Sequence, residues 1–162
     1  MIVVLYDGEC MFCEGWVNFV VRNRKDDEIR LMPIQFSSLN SSDKMLESEV
    51  PSMLVIDCKK SKFKFDASGS LLVMSSLKGF AGILGKILDF CPKMIANFFY
   101  RFIGRNRHKI FGRKDYCDIP SGSEKKIFFE NKNDFKDFLK SYDISFEQVN
   151  NVVDKKYIKE IK

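Results

Sequence analysis

Two cysteines three positions apart, Cys10 and Cys13, follow Tyr6-Asp7-Gly8-Glu9 near the start of the chain. At that spacing on a helix the two side chains share a face, so their sulfurs can come within bonding distance. A cysteine that opens a helix meets unpaired backbone N–H groups and the positive end of the dipole, both of which favour an anion. The thiolate is the reactive form, and such positions lower a thiol pKa from about 8.5 to roughly 3.5–7.5. On this reading Cys10 attacks a disulfide and Cys13, one turn further in, resolves the mixed disulfide. Asp7 is expected to cap the helix start by accepting from the N–H of Glu9 or Cys10; a proton acceptor beneath the dithiol is its other role. Met11 and Phe12, between the thiols, are the candidate apolar lip for a substrate, although Phe12 also fits the helix's buried stripe. Two further readings stay open, because Cys-x-x-Cys is equally half of a zinc site and free thiols also serve as plain core filling. Cys58, Cys91 and Cys117 are isolated and supply no second close pair for a metal. Cys117 is either a third redox thiol or structural.

Holding the pair in that state requires a strand before it and a helix after it. The run Ile2–Tyr6 is β-branched and apolar without alternation, which suits a central strand covered on both faces, and Asp7-Gly8 signals a turn. Phe12, Trp16, Phe19 and Val20 then recur as one stripe of an amphipathic helix, closed by Arg22, Arg24 and Lys25. Residues 29–35 read as a second strand and 37–49 as a polar, helix-compatible stretch. Residues 53–56 and 63–65 read as a hairpin. The pattern over 70–103 is helical, with breaks at Gly79 and at Cys91-Pro92, where proline can begin a new helix. Residues 133–142 and 146–158 read as short surface helices. Strand, helix, strand, helix, hairpin and helices make an α/β layer structure.

The chain has 162 residues, 45% hydrophobic and 30% charged, which excludes collagen-like, low-complexity and wholly disordered classes. His108 is the only histidine, so a multi-histidine metal site is excluded and any imidazole-dependent triad would have to use His108 alone. Five cysteines are too few and too odd in number for a secreted disulfide framework. Met1 leads directly into the first strand without a basic segment or cleavage site, so a cytoplasmic location is expected. The apolar stretch 71–90 contains Lys78, Lys86, Asp89 and three glycines, which fits a buried or interfacial helix and not a membrane span. The net charge of +5 is concentrated in residues 101–114, where Arg101, Arg105, Arg107, Lys109, Arg113 and Lys114 are interleaved with aromatics. Such a segment is a phosphate, nucleic-acid or anionic-membrane patch, or else the solvated side of a helix whose Phe99, Phe102 and Ile103 pack inward. The second reading is expected, since no nucleic-acid-binding signature accompanies the charge.

The block Tyr6-Asp7-Gly8 with Cys10 and Cys13 resembles the DCC family of predicted thiol-disulfide oxidoreductases, named for its Asp, Cys and Cys. A second block, Tyr100-Arg101-Phe102-Ile103-Gly104-Arg105-Asn106-Arg107 with Phe111-Gly112 and Cys117, is similar to that family's Tyr-x-x-Ile-Ala-x-Asn-Arg segment, and a structural or substrate-anchoring role near the thiols is thereby a further option for Arg105 and Arg107. The likeness covers residues 2–120; Gly104 stands where the family usually has Ala, and Ser68-Gly69-Ser70 lacks an acidic residue often found after the hairpin. It implies an α/β, thioredoxin-like central sheet with flanking helices, redox exchange at Cys10 and Cys13, and Asp7 as the third signature position. Thioredoxin-like folds also place a cis-proline opposite the thiols, where the neighbouring backbone binds an extended substrate. Pro51 fits that place, and an ordinary trans-proline is the alternative. The expected organisation is a DCC-type domain over 1–120 with a charged helical appendage over 121–162. The expected activity is thiol-disulfide exchange with protein or small-molecule disulfides, an unidentified electron donor, and no cofactor, metal or nucleic acid. A binding module using the basic helix 101–114 on an acidic partner, and a zinc-binding adaptor, are the alternatives.

Overall fold

The structure, a computed structural model, describes residues 1–25, 28–39, 53–112 and 123–159. Strand β1 (Ile2–Tyr6) is the centre of a four-stranded sheet. It pairs in parallel with β2 (Ile29–Pro33) and antiparallel with β3 (Leu54–Asp57), which in turn pairs antiparallel with β4 (Lys62–Phe65). The order β2-β1-β3-β4, with helix α1 (Met11–Asn23) crossing between β1 and β2, is the arrangement of a thioredoxin-like fold. All five β1 residues are buried, as an apolar run without alternation requires. Val3 and Leu5 pack on one face of the sheet, and Ile2, Val4 and Tyr6 on the other.

The second face is covered by α1 and by α3 (Asp66–Ser75), through Val17, Val20, Val21 and Val73. The helical period of α1 was legible, but its buried stripe is Val17, Val20 and Val21, while Phe19 lies 40% exposed. The second strand stops at Pro33 and runs into the short helix α2 (Ile34–Ser37) instead of continuing to 35. Most of the polar stretch 37–49, and Pro51, lie outside the described residues. Helix α3 begins four residues before the expected start at 70, since Phe65 is still extended and Asp66 places a carboxylate in the first turn, where the dipole favours it.

Helices α4 (Gly79–Asp89) and α5 (Lys93–Phe111) follow, separated at Cys91-Pro92 as the sequence indicated. The inward packing expected of Phe99 and Phe102 is overturned, since they are 59% and 57% exposed, whereas Ile103, 38% exposed, borders the cavity beside the thiols. Tyr100, Gly104 and Arg107 turn toward the protein instead.

A 3-10 turn (Ser123–Ile127) leads to α6 (Lys132–Lys140) and α7 (Phe146–Lys159). These two helices, expected on the surface, cover the first face of the sheet. Phe135, Leu139, Val149 and Val153 are fully buried against Val3, Leu5, Leu54 and Ile56. The N–H of Phe129 donates to the Leu31 carbonyl at 3.0 Å, which ties this segment to the β2 edge. The boundary expected at 120/121 lies outside the described residues. Among the described residues no helix is long and apolar enough to cross a membrane.

Candidate active site

The chain leaves β1 at Tyr6, turns through Asp7 and Gly8, and enters α1 with Cys10 as the N-cap residue. The Cys13 N–H donates to Cys10 Sγ at 3.2 Å, and the Glu14 N–H donates to the Cys10 carbonyl at 3.0 Å. The first sulfur therefore receives one of the helix's orphan donors, in the way a serine or aspartate cap oxygen would.

Asp7 is held from three sides. Its Oδ1 accepts from the Glu9 N–H at 3.0 Å and from Gln35 Nε2 at 3.3 Å. Its Oδ2 accepts from Arg107 Nη2 at 2.8 Å. Gln35 also accepts from the Gly8 N–H at 3.2 Å, so α2 pins the turn that presents the thiols. The Asp7 and Arg107 side chains are 7% and 4% exposed, a buried ion pair closed across 100 residues of sequence.

The two thiols are electrostatically unequal. The Cys10 thiol is lowered from 9.0 to about 7, chiefly by a hydrogen bond from the Cys13 side chain, against the cost of burial. The Cys13 N–H and the Arg107 charge assist, and Asp7 opposes. Cys13 moves strongly upward, because its proton bonds the Cys10 sulfur and because it is desolvated. The proton of the pair therefore rests on Cys13 and the charge on Cys10. Cys10 is 1% exposed, whereas Cys13 is partly open and lines a cavity of about 190 Å³.

That cavity is walled by Tyr6, Phe12, Trp16, Met53 and Tyr100, with Asp7 and Arg107 at its polar end. The Met53 N–H donates to Tyr100 Oη at 3.4 Å, and burial pushes the Tyr100 phenol well above its usual range. Phe12 packs on Phe111 with ring centroids 5.0 Å apart, while Met11 is 44% exposed beside Gly112. Cys10, Cys13, Asp7 and Phe12 are thus brought together, Met11 borders them, and Pro51 lies outside the described residues, as does Cys117. Cys58 is buried in the core and pushed up to about 11 by that burial.

Ligand atoms of Asp7, Cys10 and Cys13 lie within 4.8 Å of one another, the only such group among the described residues. A structural zinc site takes four donors. Among the described residues there are three, one of them already paired with the Arg107 cation, so this set fits zinc poorly.

Sequence reading gave no role to Gln35 or Tyr100; for Arg105 and Arg107 it offered a structural or substrate-anchoring role near the thiols beside the solvated-helix reading, and Arg107 stands at the thiols, paired with Asp7. The available signal was spacing: Tyr100, Ile103, Gly104 and Arg107 fall on one helical face, and all four belong to the second family-like block.

The chain matches a family described as DCC1-like thiol-disulfide oxidoreductase over residues 4–113. It is 32% identical over 133 residues to the uncharacterized protein YuxK of Bacillus subtilis, a match covering 78% of this chain and 92% of that protein. It is 27% identical over 120 residues to a chloroplastic DCC family protein of Arabidopsis thaliana, covering 72% of this chain and 69% of that protein. No solved structure matches.

Proposed function

The chain belongs to the DCC1-like thiol-disulfide oxidoreductase family, and from that premise we propose that it exchanges disulfides through Cys10 as nucleophile and Cys13 as resolving thiol. The observation that carries this reading is the N-cap geometry, in which the Cys13 N–H donates to a Cys10 sulfur lowered to about 7. A thiol of that pKa is about half ionised near neutrality while remaining a good nucleophile.

The Cys10 thiolate attacks one sulfur of a partner disulfide. The partner's S–S bond breaks, a Cys10–partner bond forms, and the departing thiolate takes a proton from water. Cys10 is now neutral, so the anion that held the proton on Cys13 is gone, and the Arg107 charge favours ionisation of Cys13. Cys13 loses its proton and attacks Cys10 Sγ, and the partner's second sulfur leaves as a thiolate. Two electrons have passed to the partner, and a Cys10–Cys13 disulfide remains for a dithiol donor to reduce.

Asp7 serves by position: it orders the turn and fixes Arg107 beside the sulfurs. Cys10 is 1% exposed, so the proposed attack requires a partner to displace part of its cover; Met11, next in the chain, is 44% exposed. The apolar cavity on the Cys13 side, with Phe12 and Met53 in its wall, suits a partner with an apolar group next to its disulfide. A cytoplasmic setting, with a reducing dithiol pool as donor, completes the reading.

Trapping tests it. Cys13→Ser is expected to accumulate a mixed disulfide at Cys10 with a model disulfide substrate, and Cys10→Ser is expected to form none. Failure of the wild-type pair to form a disulfide under mild oxidant, or alkylation of Cys10 no faster than free cysteine at neutral pH, would overturn it.

A further inference from the structure

Helices α4 and α5 are built inside out. In α4 the buried face is Ala81, Gly82 and Gly85. A Cβ at Gly82 would stand 2.1 Å from the Leu77 carbonyl oxygen, and one at Gly85 would stand 2.5 Å from the Met74 carbonyl carbon. The backbone of α4 thus lies too close to the α3 end for any large side chain, and Phe80, Ile83 and Ile87 face outward at 79%, 57% and 61% exposure. In α5 the inner positions are Tyr100, Gly104 and Arg107, while Met94 and Phe98 stand 81% and 65% exposed. Of the large apolar side chains left exposed among the described residues, all but Met11, Phe19 and Phe36 lie between Phe80 and Phe111. A concentration of that kind marks an interaction surface, since exposed large apolar side chains are ordinarily scattered singly over a protein.

Charge identifies the occupant. Among the described residues 78–111, Lys78, Lys86, Lys93, Arg101, Arg105 and Lys109 are exposed against one acid, Asp89. A second copy of the chain would bring this cationic surface against itself, and the cores of homodimer interfaces are depleted in charge. Exposed Phe and Ile interleaved with Lys and Arg on helices that cannot span a bilayer are the composition of a helix lying in the membrane–water interface. We propose that α4 and α5 form a membrane-surface docking face, with the apolar side chains entering the headgroup boundary of a leaflet rich in anionic phospholipid and the cations engaging its phosphates. Since the inner side of α5 carries Arg107, docking would hold the dithiol site within one helix diameter of the bilayer surface. The inference does not depend on the redox chemistry.

The test is flotation of the full chain with two kinds of vesicle, pure phosphatidylcholine and phosphatidylcholine containing about one-third phosphatidylglycerol. Partition to the anionic vesicles is expected to exceed that to neutral ones by about tenfold or more and to weaken with added salt. The double variant Phe90→Ser with Phe98→Ser is expected to lose about tenfold in binding with its unfolding curve unchanged, because both side chains are exposed. Lys93→Gln is expected to lose about fivefold on its own. The proposal is overturned if the wild-type chain binds neither vesicle, or if anionic binding is indifferent to the Phe90 and Phe98 changes. It is equally overturned if the chain ignores vesicles and forms a stable dimer that the double variant dissociates, or if it binds a single-stranded oligonucleotide and no vesicle at the same salt.

Discussion

Asp7 and Arg107 oppose each other's influence on the thiols, Arg107 favouring ionisation of both and Asp7 disfavouring it. A buried ion pair gives little net stability over an apolar substitute, but removing one partner strands the other at a cost of about 3–5 kcal/mol. The two single variants therefore separate position from charge. Asp7→Asn is expected to destabilise by about that amount and to move the Cys10 thiol further down, because the opposing anion is gone while Arg107 remains. Arg107→Gln is expected to lose similar stability and to move the same thiol up. Equilibrium urea unfolding, together with the pH dependence of alkylation, checks both signs; movement of Cys10 in the same direction in the two variants would refute the account. Stability should also follow pH through the thiols. Cys10 titrates about 7 folded against 9.0 unfolded, so its contribution is complete above about pH 9 and is lost as pH falls through about 7. Cys13 is raised, so its contribution is present below about 9.0 and is lost above it. The reduced protein is therefore expected to gain roughly 2 kcal/mol between pH 7 and 9 relative to the Cys10–Cys13 disulfide form, which lacks both titrations. Parallel urea curves of the two forms at pH 6.5 and 9 read this directly (about the two ends of the window), and identical pH profiles would exclude a lowered Cys10.

At the level of elements, what could be read locally was read, and what depended on a neighbour was not. β1, the start of α1 at the thiols, and the β3–β4 hairpin each follow from a short run of residues whose pattern fits one state. The phase of α1 does not. The expected stripe Phe12, Trp16, Phe19 and Val20 overlaps the buried one, Val17, Val20 and Val21, at Val20, and only the crossover onto the sheet selects the second. Likewise the pairing of Asp7 with Arg107 rests on where α5 returns, which no motif spacing states, although each residue lies in a recognisable block. Helices α4 and α5 are the sharpest case: periodicity finds the apolar side of a helix and assumes that it packs inward, but here glycines occupy the contact. That assumption can be tested by substitution. Gly85→Ala should improve helix propensity by about 1 kcal/mol yet destabilise overall, since the added Cβ meets backbone of α3 that cannot step aside. Phe80→Ala, by contrast, should change stability by less than about 0.5 kcal/mol. Thermal unfolding that ranked these two the other way round would return the Phe side of α4 to the core.

For the whole molecule, the question is whether residues 121–162 can be removed. Their charge and short helices suggest an attachment, but the described part, residues 123–159, closes one face of the sheet. Phe129, Phe135, Leu139, Ile144, Val149 and Val153 are each buried there to 3% exposure or less, against Val3, Leu5, Leu54 and Ile56. Burying one such side chain contributes about 1.5–3 kcal/mol, so the six together are on the order of 10 kcal/mol, comparable to the entire net stability of an ordinary domain. A chain ending at residue 120 would also expose the apolar face of β1 and β3 to water and lose the backbone bond from Phe129 to Leu31 on the β2 edge. The other face, with α1, α3 and the Cys10–Cys13 turn, would lose Ile127 and Phe128 from its core as well. The expected result is a chain that retains helical signal but loses cooperative unfolding, binds hydrophobic dye and aggregates, with alkylation of Cys10 slowed toward that of free cysteine as the N-cap geometry loosens. Single substitutions grade the same effect: Phe135→Ala should cost about 3–5 kcal/mol, more than any exposed Phe of α4 or α5. Should the 1–120 chain unfold as cooperatively as the full protein, at the same midpoint and with Cys10 equally reactive, the sheet would need only one covered face and the C-terminal helices would be dispensable to the dithiol site.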